Sequence, residues 1–152
     1  MAKISKQLSE VLESDCAHSV EDVLKKKSAD DFKTLISILP LESNVSENYR
    51  TKALYLLGLW GDKSSVPEII NILPKLDEMG RISGIDALGR LGSKEALAGI
   101  LQCANDSSDN VRKFVTRALG KINTADAKNK LKEIQKKDPT RYIRDIATGY
   151  LK

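Results

Sequence analysis

The residues that could take part in catalysis or metal binding are few and scattered. His18 is the only histidine of the chain, so neither a histidine-based triad nor a site with several histidines can form. Cys16 stands two positions before it, and this pair falls short of the four ligands of a structural zinc site. The second cysteine, Cys103, falls in an apolar column and is expected to pack as a small hydrophobic residue. We therefore expect no catalytic residue, no metal, no cofactor and no enzymatic activity.

A positively charged residue, arginine, recurs along the chain at a regular spacing. Successive members of the column are 31, 31 and 32 residues apart: Arg50, Arg81, Arg112 and Arg144. A leucine stands seven positions after each of them: Leu57, Leu88, Leu119 and Leu151. Small or apolar residues also recur at offsets −1, +3, +6 and +10 from the arginine. These offsets trace one face of a helix with a period of 3.6 residues.

Each repeat is predicted to contain a second helix. Gly61, Gly92 and Asn123 follow the first helix and suit a left-handed C-terminal cap. A second apolar stripe begins a few residues later. Neither helix can bury its stripe alone, so successive hairpins are expected to stack around one elongated core. The predicted fold is therefore all-α, a right-handed α-solenoid of the armadillo type.

The whole chain of 152 residues is predicted to form one domain, because a chain of this length can bury a sufficient core. Residues 1–48 are expected to form divergent N-terminal capping helices and a partial repeat. The regular part is predicted to comprise three repeats and a C-terminal capping helix, over residues 49–79, 80–110, 111–140 and 141–152.

Two motifs carry a family resemblance. The residues Asp-x-Val-Arg followed by Ala-Leu-Gly, between Asp109 and Gly120, resemble the HEAT-like repeats of the phycobilisome-lyase type. The run Ala-Leu-Gly-x-Leu-Gly, from Ala87 to Gly92, is similar to the first helix and turn of the same family. The resemblance covers residues 31–152 and implies an α-solenoid that serves as a binding surface, with its second helices on the concave face. The fold does not by itself select a function.

Two interpretations of the arginine column are open. Stacked guanidinium groups could bind an anionic ligand. Alternatively, each arginine ties its hairpin to the preceding one through hydrogen bonds to a turn or a carboxylate, and this structural inter-repeat role is favoured. The candidate partners are Asp62 and Asp77 for Arg81, and Asp106 and Asp109 for Arg112.

The net charge of +4 is unevenly distributed along the chain. Residues 111–152 contain twelve Lys and Arg against four Asp and Glu, which gives this segment a charge of +8. The last second helix carries four polar residues that we assign to a partner surface at one end of the concave face: Lys128, Asn129, Lys132 and Lys136. A simpler interpretation, which is favoured, is a solvated face that keeps the protein soluble.

These features predict a non-catalytic module that binds a macromolecular partner through the concave face. A protein partner is expected, as for a small adaptor or a toxin-neutralising immunity protein. The alternatives are nucleic-acid binding by the basic C-terminal quarter and a bilin-lyase-like accessory role. The chain shows no secretory signal and no apolar run of about 18 residues, so a cytoplasmic protein without membrane contact is expected. We also expect a monomer.

Overall fold

The computed structural model describes residues 4–14 and 17–152, except the side chains of residues 17–19. Cys16 and the side chain of His18, considered above, lie outside this description. The described part contains no β-strand, and its α-helices are α1 Lys6–Glu13, α2 Ala17–Lys26, α3 Ala29–Ser37, α4 Glu47–Trp60, α5 Val66–Ile72, α6 Glu78–Leu91, α7 Lys94–Gln102, α8 Asp109–Ile122, α9 Ala125–Lys137 and α10 Arg141–Leu151. The hairpins α4–α5, α6–α7 and α8–α9 stack in a row that α10 extends. The prediction of an all-α solenoid is confirmed.

The first helices of the three hairpins begin and end in the same way. Each contains 14 residues and starts after an N-cap whose side chain accepts a backbone N–H: Ser46, Asp77 and Ser108. Each ends at a residue with positive φ, namely Gly61, Gly92 and Asn123. Asparagine tolerates the left-handed conformation, so Asn123 provides the same C-cap as the two glycines. Because of the N-caps, the helices begin two residues before the predicted repeat boundaries at 49, 80 and 111.

The first helices pack closely against one another along the core. Leu57, Leu88 and Leu119 are fully buried and line a shared interior seam. Glycines let the backbones approach: a Cβ atom on Gly58 would lie 2.7 Å from the α-carbon of Ala87. No side chain fits in that space, so the separation of α4 and α6 is set by this contact.

The second helices are shorter or less closely packed than the first. α5 contains only seven residues and continues into a short 3-10 helix at Leu73–Lys75. α4, α6 and α8 form extensive contacts with their successors, whereas α5 touches α7 in few places and α7 has little contact with α9. In a curved stack the more closely spaced row lies on the inside. The first helices therefore line the concave side, and the expectation that the second helices do so is wrong.

The N-terminal helices cover the end of the stack next to α4. Asp31 of α3 is buried and accepts hydrogen bonds from the backbone N–H and the hydroxyl of Ser5, at 3.0 and 2.7 Å. The ring of Phe32 lies 5.8 Å from that of Trp60, which is buried at the end of α4. The aromatic contact thus joins the divergent segment to the regular repeats, whereas the buried carboxylate joins α3 to the start of α1 within that segment.

Candidate protein-binding surface

Arg81 lies between two successive inter-repeat loops and contacts both. Its Nε and Nη2 donate to the carboxylate of Asp106 at 2.8 and 3.2 Å, and its Nη1 donates to the carbonyl of Leu76 at 2.8 Å. Only 21% of the arginine side chain and 11% of the aspartate side chain are exposed. A forked pair of this kind combines geometric specificity with charge compensation. The carboxylate comes from the following loop, not from the expected Asp62 or Asp77.

Arg112 repeats this arrangement one hairpin later. Its Nε and Nη2 donate to Asp138 at 3.0 and 3.4 Å, and its Nη2 also donates to the hydroxyl of Thr140 at 3.0 Å. Its Nη1 donates to the backbone carbonyl of Asp106 at 2.9 Å. Asp106 is thus a partner of Arg112 through its carbonyl, whereas its carboxylate binds Arg81. Asp109, the other expected partner, has no hydrogen bond to Arg112.

The two outer arginines of the column bind backbone carbonyl groups, and Arg50 also donates to the hydroxyl of Ser43 at 3.5 Å. Arg50 is buried and donates from Nε to the carbonyl of Leu39 at 2.9 Å. In its following loop, the position equivalent to Asp106 is occupied by Lys75, which is 31 residues before Asp106 and carries no carboxylate. Arg144 donates from Nη1 to the carbonyl of Asp138 at 2.6 Å. All four guanidinium groups therefore point toward inter-repeat loops, which favours a structural role over an anion-binding role.

The four polar residues assigned to a partner surface on α9 share a solvent-exposed face. Lys128, Asn129, Lys132 and Lys136 are all exposed. In the described part of the chain these four side chains form no ion pair or hydrogen bond, whereas the neighbouring Lys130 is paired with Glu133 at 3.0 Å. Because α9 is a second helix, this face belongs to the outer row and not to the concave side.

The concave side carries an open cavity that the recurring columns of the sequence do not predict. Its volume is about 380 Å³, and its lining is almost entirely apolar. Four side chains from three consecutive first helices form the apolar part, which we name the apolar groove: Tyr55 of α4, Met79 and Ile82 of α6, and Phe114 of α8. Tyr55 and Met79 are 45% and 59% exposed. Large apolar side chains are thus presented to solvent next to one another.

Two polar residues in the lining of the groove, Ser83 and Asp86, are bonded to other groups of the chain. The hydroxyl of Ser83 donates to the carbonyl of Thr51 at 2.9 Å. Asp86 accepts from Arg90 at 2.7 Å and from Lys121 at 3.0 Å. Although burial raises the pKa of Asp86, these hydrogen bonds and positive charges outweigh it, so the pKa is lowered and the group is ionised at neutral pH. Ser83 and Asp86 therefore offer little unused hydrogen-bonding capacity to a bound molecule.

Two cations stand at the α8 side of the groove. The Nζ of Lys113 lies 5.7 Å from the centre of the Phe114 ring, and the Cζ of Arg117 lies 5.8 Å from it. Within the described residues neither side chain is paired with a carboxylate. The aromatic ring attracts both cations, and their charge remains available to a bound molecule.

A recognisable signal for the groove was present in the sequence. Tyr55, Met79, Ile82 and Phe114 are large apolar residues at positions outside the core columns of the repeat. α4 and α6 consequently lack a clearly polar face, in contrast to α8 and α10. Because these four residues do not recur from repeat to repeat, the repeat columns do not predict the groove.

The described residues contain no cluster suited to catalysis or metal binding. No three His, Cys, Asp or Glu side chains among them are close enough to hold a metal ion. Burial, and secondarily the charge of Asp106, raises the pKa of the Cys103 thiol, so this cysteine is protonated and a poor nucleophile. As to membranes, none of the described helices has the length and apolar character needed to span a bilayer.

Comparison with known proteins yields one family match. The family model described as HEAT repeats matches residues 66–152, which is more than half of the chain. The matched segment includes α5 through α10, and so two of the three helices that form the groove. No curated protein matches the sequence. The phycobilisome-lyase subtype suggested by the sequence motifs stays a prediction.

Proposed function

The chain belongs to the HEAT repeat family, and from this membership and the surface described above we propose that it binds a protein partner through the apolar groove, without catalysis. HEAT repeats generally act as protein-interaction scaffolds. The observation that carries the proposal is the exposure of Tyr55 and Met79 beside Ile82 and Phe114 on the concave row of helices. A cluster of exposed apolar side chains is stabilised when a partner removes it from water.

The chemistry of the groove favours a protein over a small polar ligand. Sites for small polar molecules need several convergent donors or acceptors. Ser83 and Asp86 are already engaged with other groups of the chain. Apolar and aromatic side chains of a partner need no such groups, and residues of this kind dominate the centres of protein interfaces.

Site-specific photo-crosslinking tests the proposal. A photoreactive amino acid at position 79, in the groove, is compared with the same amino acid at position 132 on α9, in cells of the source. We expect one or a few discrete protein adducts from position 79, which disappear when Phe114 is also changed to Asp. Adducts from position 132 alone would contradict the groove and would support the basic surface formed by Lys128, Asn129, Lys132 and Lys136.

A small adaptor and a toxin-neutralising immunity protein are the finer roles that suit such a surface, since both need only one well-formed interface. The identity of the crosslinked protein distinguishes these two roles.

The two alternative functions have tests of their own. Nucleic-acid binding predicts a gel shift at low salt that weakens steeply as salt rises, and a bilin-lyase-like role predicts a change in the absorption spectrum of an added bilin.

A further inference from the structure

The groove restricts the backbone conformation of the segment that it can accept. An extended peptide buries N–H and C=O groups that need partners from the protein. Ser83 and Asp86, two polar residues of the lining, are already bonded within the chain. The described part of the chain also has no strand edge to which a peptide could add. An α-helix satisfies its own backbone groups and is therefore the conformation that fits.

The shape of the groove suits the same occupant. Met79 and Ile82 of the middle helix form its centre, with Tyr55 on one side and Phe114 on the other. A row of apolar side chains on one face of a helix, spaced by three or four residues, can lie against these four side chains. A cavity of about 380 Å³ has room for a few such side chains.

Charge sets the polarity of one flank of the incoming helix. Lys113 and Arg117 border the groove beside Phe114, and neither has a carboxylate partner among the described residues. Asp86 is the carboxylate of the lining, and it is compensated by Arg90 and Lys121. Carboxylates on the α8 side of the bound helix would therefore be attracted, and lysines there would be repelled.

We propose that the apolar groove accepts an amphipathic α-helix of a partner protein whose apolar stripe is flanked by carboxylates that contact Lys113 and Arg117. This inference rests on the proposed function, because it specifies the partner of the same groove.

Three labelled synthetic peptides of about 20 residues test the inference by fluorescence anisotropy. All carry leucines at helical spacing; the first has glutamates along the flanks of the stripe, the second has lysines there, and the third is the first with a central proline that breaks the helix. We expect the glutamate peptide to bind at least tenfold more tightly than the lysine peptide, with a difference that shrinks as salt rises. The proline peptide should bind at least tenfold more weakly than its parent.

Variants of the protein locate the interaction. Met79→Asp, at a largely exposed position, should abolish binding without unfolding the chain. The pair Lys113→Glu and Arg117→Glu should reverse the preference between the glutamate and lysine peptides. The matched control, Lys132→Glu and Lys136→Glu, makes the same change of charge on α9 and should leave the preference unchanged.

The results separate this inference from the proposed function. Equal binding of the three peptides, binding of none, or an unaltered preference in the Lys113→Glu and Arg117→Glu variant would overturn the inference. If the peptide results contradict the inference but photo-crosslinks still form from position 79, the protein-binding role stands and only the helical, acidic partner is excluded. If the photo-crosslinks are also absent, both the inference and the proposed function are overturned. Self-association that sedimentation shows to be lost in Met79→Asp would identify a second copy as the occupant and overturn the inference.

Discussion

Arg112 and Asp138, 26 positions apart, join helix α8 to the loop after α9 through two hydrogen bonds of 3.0 and 3.4 Å. Their side chains are only 11% and 5% exposed. The same relationship recurs between Arg81 and Asp106 one hairpin earlier. The carboxylate of each aspartate accepts hydrogen bonds from the arginine of the preceding hairpin, Arg81 for Asp106 and Arg112 for Asp138. The backbone carbonyl of each aspartate accepts from the next arginine of the column, Arg112 for Asp106 and Arg144 for Asp138.

Removing Arg112 should destabilise the protein strongly. Arg112→Ala leaves the buried carboxylate of Asp138 without its cation, and breaking a buried pair costs about 3 kcal/mol or more. The free energy of unfolding, measured in urea, should fall by about that amount, whereas Lys132→Ala on the exposed face should change it by less than about 0.5 kcal/mol. If Arg112→Ala unfolds at the same urea concentration as the unsubstituted protein, the structural role of Arg112 is contradicted.

Arg81→Ala should affect stability more than binding. Arg81 contacts two loops but does not line the apolar groove. We expect a loss of about 2 kcal/mol from the broken pair, which lowers the Tm of a chain of this length by roughly 4–8 °C. Affinity for the glutamate peptide should stay within about twofold at a temperature where the variant is folded. A large loss of affinity with unchanged melting would instead identify Arg81 as a ligand-binding residue.

Two glycine-to-alanine substitutions should change the stability of the protein in opposite directions. In Gly58→Ala the new Cβ would lie 2.7 Å from the α-carbon of Ala87, so the helices must separate. This overpacking should cost about 1–3 kcal/mol, despite the better helix propensity of alanine. In Gly149→Ala the Cβ meets nothing within 4 Å, so stability should rise, by up to about 1 kcal/mol. Thermal melts of both variants test this; equal shifts would show that propensity alone decides.

Asp86 should contribute to stability in a pH-dependent way. Its pKa is lower in the folded chain than the ordinary value of about 3.9, because the hydrogen bonds from Arg90 and Lys121 outweigh the effect of burial. Such a group stabilises the fold above its unfolded pKa, and the contribution is lost as pH falls through the folded pKa.

The matched variant is Asp86→Asn. At pH 7 it should be less stable by about 0.5–1 kcal/mol, the magnitude of a partly exposed ion pair. The difference should close as the pH falls through the lowered pKa of Asp86 in the folded protein, because the carboxyl of the unsubstituted protein then loses its charge. Urea unfolding at a series of pH values measures both curves, and a difference that stays constant across the series would contradict the assignment.

The repeat columns were sufficient to predict the helices, the turns and the core. Leu57, Leu88 and Leu119 recur at one offset because each occupies an equivalent position in an equivalent hairpin. The helices begin two residues before the predicted repeat boundaries, because a capping Ser or Asp precedes the first apolar residue of each helix. Local signals of this kind depend only on neighbouring residues.

Features that depend on the spacing between hairpins were not predictable in the same way. Asp77 precedes Arg81 by four positions and Asp106 follows it by 25, and only the geometry of the stack places the carboxylate of Asp106 against the guanidinium. The concave side follows from helix separation, for which Gly58 and Gly89 were an unused signal. The groove combines residues of three repeats that share no column.

The double role of Asp106 has a consequence for the proposed protein-binding surface. Its carboxylate binds Arg81 on α6, and its carbonyl binds Arg112 on α8. These are the two helices that supply Met79 and Phe114, so Asp106 joins the two helices that carry those side chains. A preorganised receptor spends little conformational entropy on association, and more of the contact energy then contributes to affinity.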